Sequence, residues 1–178
     1  MTDVLDTIPR VPQSASLALR AMPLEPMSIA LSRLVRRMIR AHPGLLQRLG
    51  EHGNRRFAID PTDLPLCLLI QPRAARGTVR VYRHPPASDA RIAGPLAALL
   101  GLVHGTWDGD ALFFSRDLVV EGDTSAALAL RNAIDDAELD LGLEISAFAG
   151  PFARMLHPII RFAERRTGLP LRRMEDPD

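Results

Sequence analysis

Asp110-Ala-Leu-Phe-Phe-Ser-Arg-Asp-Leu-Val-Val-Glu-Gly-Asp-Thr-Ser-Ala-Ala-Leu-Ala-Leu-Arg-Asn-Ala-Ile-Asp-Asp136 carries the clearest structural signal in the chain. Leu118, Val119 and Val120 favour a strand, because bulky side chains pack well on a pleated surface. Gly122 permits a sharp reversal, and Asp123 is placed to accept hydrogen bonds from the first N–H groups of a following helix. In that helix Ala127, Leu130, Ile134, Ala137 and Leu141 recur at a three-four-three-four spacing, which puts them on one face. The passage therefore predicts strand, turn and amphipathic helix, and it contains no catalytic constellation.

Working outward, Arg56 to Asp60, Leu66 to Gln71 and Thr78 to Arg83 read as three strands, with a fourth near Ala90 to Ile92. In Thr78-Val-Arg-Val-Tyr-Arg the alternation sets Val79 and Val81 opposite Arg80 and Tyr82. Residues 1–26 read as an irregular arm, broken by prolines, with one short helix near Ser14 to Ala21. Ser28 to Arg40 reads as a helix with Leu31, Leu34, Val35, Met38 and Ile39 on one side. Arg33, Arg36, Arg37 and Arg40 lie on the other. Leu45 to Leu49 reads as a short helix, and Pro95 to Val103 as another, with proline in its first turn. Residues 142–169 read as an amphipathic terminal helix carrying Phe148, Phe152 and Ile159 on its apolar side, and residues 170–178 as a disordered tail. The body of the domain thus runs from 27 to 141.

A chain of 178 residues, 47% apolar, is long enough for one domain with a real core. A net charge of +1 gives no general reason for a polyanionic partner. Charge is unevenly spread, however: the first third is rich in arginine and the later helix is rich in acids. Lysine is absent, which excludes a phosphate-loop lysine and a Schiff-base lysine. The single cysteine, Cys67, lies in an apolar run and reads as a buried structural thiol. The opening Met-Thr-Asp-Val-Leu-Asp has early acids and no apolar core of a secretory signal, so a cytoplasmic protein is expected.

The candidate chemistry is sparse. His42, His52, His84, His104 and His157 do not fall at metal-ligand spacing and read as turn or surface residues, so no metal is expected. Asp108-Gly-Asp110 lacks the ligand pattern of a calcium loop. No Gly-x-Ser-x-Gly elbow occurs, and Gly101 with Gly105 does not make a dinucleotide fingerprint. Asp135, Asp136 and Glu138 diverge around a helix and read as a solvated acidic face. The arginine-bearing helix has no stacking aromatics beside it, which argues against nucleic acid. Its arginines read either as a solvated face or as contacts to anionic lipid headgroups or an acidic partner. The chain is accordingly expected not to be an enzyme and to carry no cofactor.

The passage Leu112-Phe113-Phe114 … Leu118-Val119-Val120-Glu121-Gly122-Asp123 resembles the strand–turn–helix signature of the sterol carrier protein type two (SCP-2) lipid-binding domain. Within that family it is similar to the UbiT-type accessory factors of bacterial ubiquinone biosynthesis, with Ala137-Glu138-Leu139 at the corresponding helix end. The likeness covers roughly 55–141, while Gly105-Thr-Trp-Asp-Gly-Asp110 departs from the family's usual loop. The resemblance implies an α+β fold: a five-stranded, mostly antiparallel sheet with helices on one face enclosing a hydrophobic cavity. Its walls would be Leu68, Ile70, Leu99, Leu102, Val103, Trp107, Phe113, Phe114, Leu130 and Ile134. The simpler alternative is that Trp107, Phe113 and Phe114 are ordinary core. The implied function is non-catalytic: binding an isoprenoid quinone intermediate and presenting it to enzymes, including UbiU–UbiV-like iron–sulfur proteins, in oxygen-independent ubiquinone synthesis. Peripheral membrane contact would fall to Arg33, Arg36, Arg37, Arg40, Phe148, Phe152 and Ile159. The alternative is a protein–protein adaptor with no lipid.

Overall fold

The computed structural model describes residues 10–72, 77–104 and 118–137. Its elements are α1 (Gln13–Ala21), α2 (Leu24–Ala41), α3 (Gly44–Leu49), a 3-10 turn (Gly50–Asn54), β1 (Phe57–Pro61), β2 (Cys67–Gln71), β3 (Thr78–Tyr82), β4 (Ala90–Gly94), α4 (Leu96–His104), β5 (Val119–Gly122) and α5 (Thr124–Asp136). The strands form one sheet in the order β3-β2-β1-β4-β5. Only β1 and β4 run parallel; the other three pairings are antiparallel. The α+β class read from the sequence holds, and each expected strand is present.

Register assigns every strand residue to a face. Phe57 sits opposite Ile70 and Ala90, and Ile59 opposite Leu68 and Ile92. Ile70 is opposite Val79, Leu68 opposite Val81, and Ile92 opposite Val120. Side chains alternate along a strand, so these residues share one sheet face. The core gathers there, beneath α3, α4 and α5, with Phe57 and Leu49 almost completely enclosed. The opposite face carries a smaller cluster of Ala58, Cys67 and Leu69, with Tyr82 against it. Beside it Arg91 donates to Asp60 and Glu121, linking β4 to both neighbouring strands.

α2 starts at Leu24, earlier than the Ser28 suggested by the apolar stripe. Pro26 falls in the first turn, where a missing N–H costs no helical hydrogen bond. This helix closes the exposed edge of β3. The Ser32 hydroxyl accepts from the Val79 N–H and donates to the Val79 carbonyl, both at 2.9 Å. The Ser28 hydroxyl accepts from the Val81 N–H at 2.9 Å, and the Arg36 Nε donates to the Gly77 carbonyl at 3.0 Å. Four helical residues rise about 6 Å and two strand residues about 6.6 Å, so a helix and an antiparallel strand can stay in step over this distance. Polar residues at positions 28, 32 and 36 thereby replace a sixth strand, and the edge is covered.

The arm that precedes α2 contains α1, whose last turn is held by Arg83, the residue after β3. Arg83 donates to the carbonyls of Leu19 and Arg20 at 2.9 Å and of Met22 at 2.7 Å, which occupies acceptors that a helix end leaves open. Asp63 has a matching role at two other points. One carboxylate oxygen accepts from the Leu96 N–H at the start of α4, and the other from the Val11 N–H.

Ser32→Ala should cost about 2 kcal/mol of folding stability, because it strands a buried N–H and a carbonyl at the sheet edge. A lower urea midpoint with an unchanged slope checks this; a midpoint equal to wild type would show that the edge does not need the hydroxyl.

Candidate functional site

The roof of the principal core is α5, and its placement follows from the turn before it. Gly122 has φ +82°, and a Cβ there would lie 2.4 Å from the Asp89 carbonyl oxygen, so both conformation and space require glycine. The next residue, Asp123, donates its N–H to that same carbonyl at 2.8 Å. Its carboxylate accepts from the Ser125 hydroxyl and the Ala126 N–H, and these bonds hold its pKa below the usual carboxylate range. The N-cap and glycine turn expected from the sequence are thus both present.

Ala126, Ala127, Leu130 and Ala133 of α5 are buried, with Ile134 and Ala137 partly so. The buried stripe is broader than the sequence spacing indicated, because Ala126 and Ala133 also face inward. Leu141 lies outside the described residues. α4 supplies Ala98, Leu99 and Leu102, and α3 supplies Leu45 and Leu49. The floor is Phe57, Ile59, Ile70, Ile92 and Val120. Fully enclosed alanines let the roof helices come close to the sheet, and the leucines pack beside them.

The structure gathers Ile70, Leu99, Leu102, Leu130 and Ile134, five of the expected wall residues, into this one apolar cluster. Leu68 occupies the same face of β2, two residues from Ile70. Val103 lies within α4. Trp107, Phe113 and Phe114 fall outside the described residues, as do Phe148, Phe152 and Ile159.

Polar contacts at the margin of the cluster are few. Arg48 of α3 pairs with Asp136 of α5 at 2.6 Å, and Arg55 approaches Asp123 at 3.6 Å. Both pairs are partly exposed, so each contributes under about 1 kcal/mol, and the roof is held by apolar burial. Among the described residues, no three of His, Cys, Asp and Glu come together as a metal site. No helix among them is long and apolar enough to cross a membrane.

The expected headgroup arginines have different surroundings. Arg36 is engaged with Gly77, and Arg40 donates its Nε to the Arg36 carbonyl at 3.1 Å. Arg33 is exposed and makes no hydrogen bond or ion pair among the described residues. Arg37 is exposed but is not without an interaction partner. Sequence reasoning missed the backbone contacts of Arg36, Arg83, Asp63 and Asp89. Each joins residues far apart in the chain, so no local pattern marks it.

With this geometry in view, the class of protein is defined. Residues 31–135, more than half of the chain, match the model of the SCP-2 sterol transfer family, and the chain belongs to that family. Among solved structures it is similar to a UbiJ-SCP2 ubiquinone synthesis protein, at 19% identity and TM-score 0.53, covering 66% of this chain and 96% of that one. It is also similar to the apo sterol carrier protein 2 of Yarrowia lipolytica, at 15% identity and TM-score 0.45, covering 63% and 92%. A search of curated proteins finds no significant match. The UbiJ-SCP2 likeness establishes the shared fold.

Cys67 is fully enclosed on the second face, as its apolar neighbours suggested. Burial pushes its thiol up to about 11, and the Asp60 carboxylate adds to the rise while Arg91 opposes it. The raised value fixes the sign of its pH effect. Below pH 9 the thiol is neutral in both states; between pH 9 and about 11 the unfolded thiol ionises first, so this contribution to stability falls. Cys67→Ala should remove that part of the alkaline decline, seen by comparing urea midpoints of both proteins at pH 8 and pH 10.5. Identical declines would show that the thiol does not sense burial.

Proposed function

We propose that this chain is a non-catalytic lipid-binding accessory factor of the UbiT type. It takes up a hydrophobic isoprenoid quinone intermediate and presents the ring to enzymes of oxygen-independent ubiquinone synthesis. The observation that carries this reading is the apolar layer between the sheet face of Ile59, Ile70 and Ile92 and the roof of Leu99, Leu102, Leu130 and Ile134, within an SCP-2 family domain. A similar fold in a ubiquinone synthesis protein supports the choice of lipid. The tail would lie along that layer, with Val103, Trp107, Phe113 and Phe114 completing its walls.

Redox chemistry on the ring belongs, in this reading, to UbiU–UbiV-like iron–sulfur partners. Delivery takes place at a membrane or partner surface formed by α2's arginines with Phe148, Phe152 and Ile159. The protein acts in the cytoplasm and contacts the bilayer peripherally.

The test is organic extraction of protein purified from its own host, followed by mass spectrometry. A prenylated quinone precursor should co-purify at a sizeable fraction of the protein. Ile134→Trp, which adds bulk at the cluster's border, should lower that yield several-fold while the protein stays folded. Lipid-free protein that also fails to bind an added prenylated quinone would overturn the reading and favour a lipid-free adaptor.

A further inference from the structure

We propose that the open groove between α2 and β3 is a binding site for a phosphate group, gripped by Arg33 and Arg80. The groove encloses about 670 Å3 along the outer edge of the sheet, away from the apolar layer under α4 and α5. Arg33 and Arg36 enter it from α2, and Arg80 enters from the middle of β3. Ile29 and Tyr82 add apolar surface.

The helix explains how the cations line up. At 100° per residue, Ile29, Arg33, Arg36 and Arg40 fall within an arc of about 60°. Arg36 is anchored by the Gly77 carbonyl, which fixes its guanidinium beside the β3 edge. Arg33 and Arg80 make no ion pair or hydrogen bond among the described residues, although both are exposed. Among the described residues, the one acid lining the groove is Glu25, which lies eight residues before Arg33, about 12 Å along the helix axis.

Three guanidinium groups line the groove and raise its local positive potential, which an anion placed between them would lower. Guanidinium matches a phosphate with paired, charge-assisted hydrogen bonds, and it does so better than a lysine ammonium would. Ile29, 49% exposed, provides an apolar contact next to the cations. This arrangement suits a phosphate attached to a hydrophobic body or surface. The inference deepens the delivery part of the preceding reading and rests on it for the role of α2. It does not depend on what fills the apolar layer.

Phosphate could come from a lipid headgroup or from a soluble anion, and sedimentation with vesicles separates the two. The full chain is mixed with phosphatidylglycerol vesicles, with phosphatidylcholine vesicles, and with pyrophosphate as a soluble competitor. Binding to phosphatidylglycerol is expected, and Arg33→Gln/Arg80→Gln should weaken it about thirtyfold, as two lost surface arginines imply. Arg10→Gln/Arg20→Gln removes the same charge outside the groove and should weaken binding much less. Displacement by millimolar pyrophosphate would show that a free phosphate also fits; retention on vesicles alone would identify the headgroup as the source. The proposal fails if wild type binds neither vesicles nor pyrophosphate, or if the two double variants lose binding equally. Lipid extraction is a separate readout, so an empty apolar layer would leave a positive result here intact.

Discussion

Asp89 ties three strands and the roof helix into one arrangement. Its carboxylate accepts from the Arg56 N–H at 2.7 Å, and its own N–H donates to the Arg56 carbonyl at 2.9 Å. This locks the entrance of β1 to that of β4, the one parallel pairing in the sheet. Its carbonyl then receives the Asp123 N–H at the exit of β5. The backbone N–H of Arg56, helped by its guanidinium, holds the Asp89 pKa below the usual carboxylate range. α5 begins at the next residue after Asp123, so its direction over the sheet is set by this knot. Every residue of the proposed site that lies on α5 inherits its position from a few hydrogen bonds around one acid.

A roof fixed at one end and held elsewhere by apolar contact suits a carrier. The described salt bridges at its margin are surface pairs and add little, so displacing α5 from α3 and α4 mainly exposes hydrocarbon. An entering lipid would cover that same hydrocarbon. Burying ten methylenes from water yields about 8 kcal/mol. A lipid leaving a bilayer gains little of this, because the bilayer interior is as apolar as leucine. Discrimination among lipids must therefore come from cavity shape and from contacts to the head. A domain with few polar groups around its apolar layer would leave discrimination between lipids to the few contacts at its margin.

The parts of this structure legible in the sequence are those with local causes. Strand alternation in Thr78–Tyr82, the glycine reversal at Gly122 and the cap at Asp123 each depend on neighbouring residues, and each appears as read. The SCP-2 signature lies in that same local passage. The sheet edge was not legible. Ser28 and Ser32 look like ordinary polar positions of an amphipathic helix, and only the arrival of β3 makes their hydroxyls backbone partners. Arg36 appeared to belong to a solvated face for the same reason. Arg83, Asp63 and Asp89 act over separations of thirty residues or more, except where Arg83 meets Pro65. The aromatic residues expected to line the cavity, Trp107, Phe113 and Phe114, lie outside the described residues. Of the residues expected to line it, Ile70, Leu99, Leu102, Leu130 and Ile134 are seen together in one apolar cluster.

The near-zero net charge conceals a separation that the fold makes spatial. Arg33, Arg36, Arg37 and Arg40 lie on α2, which covers the β3 edge of the sheet, while Glu121, Asp123, Asp135 and Asp136, on β5 and α5, each face an arginine: Arg91, Arg55, Arg131 and Arg48. Composition averages these two edges and sees nothing. The acids of that side are balanced by their partners, so a surface carrying negative charge is drawn chiefly to the α2 arginines, and at physiological ionic strength the field of exposed charges fades over about 8 Å. The basic edge would thus be felt only at close approach, turning the β3 side toward an anionic surface. Since α5 is also the roof, the same orientation would leave the roof free to move while α2 is engaged. The sheet couples the two edges mechanically, because β3 and β5 are joined through β2, β1 and β4 without a break in the ladder.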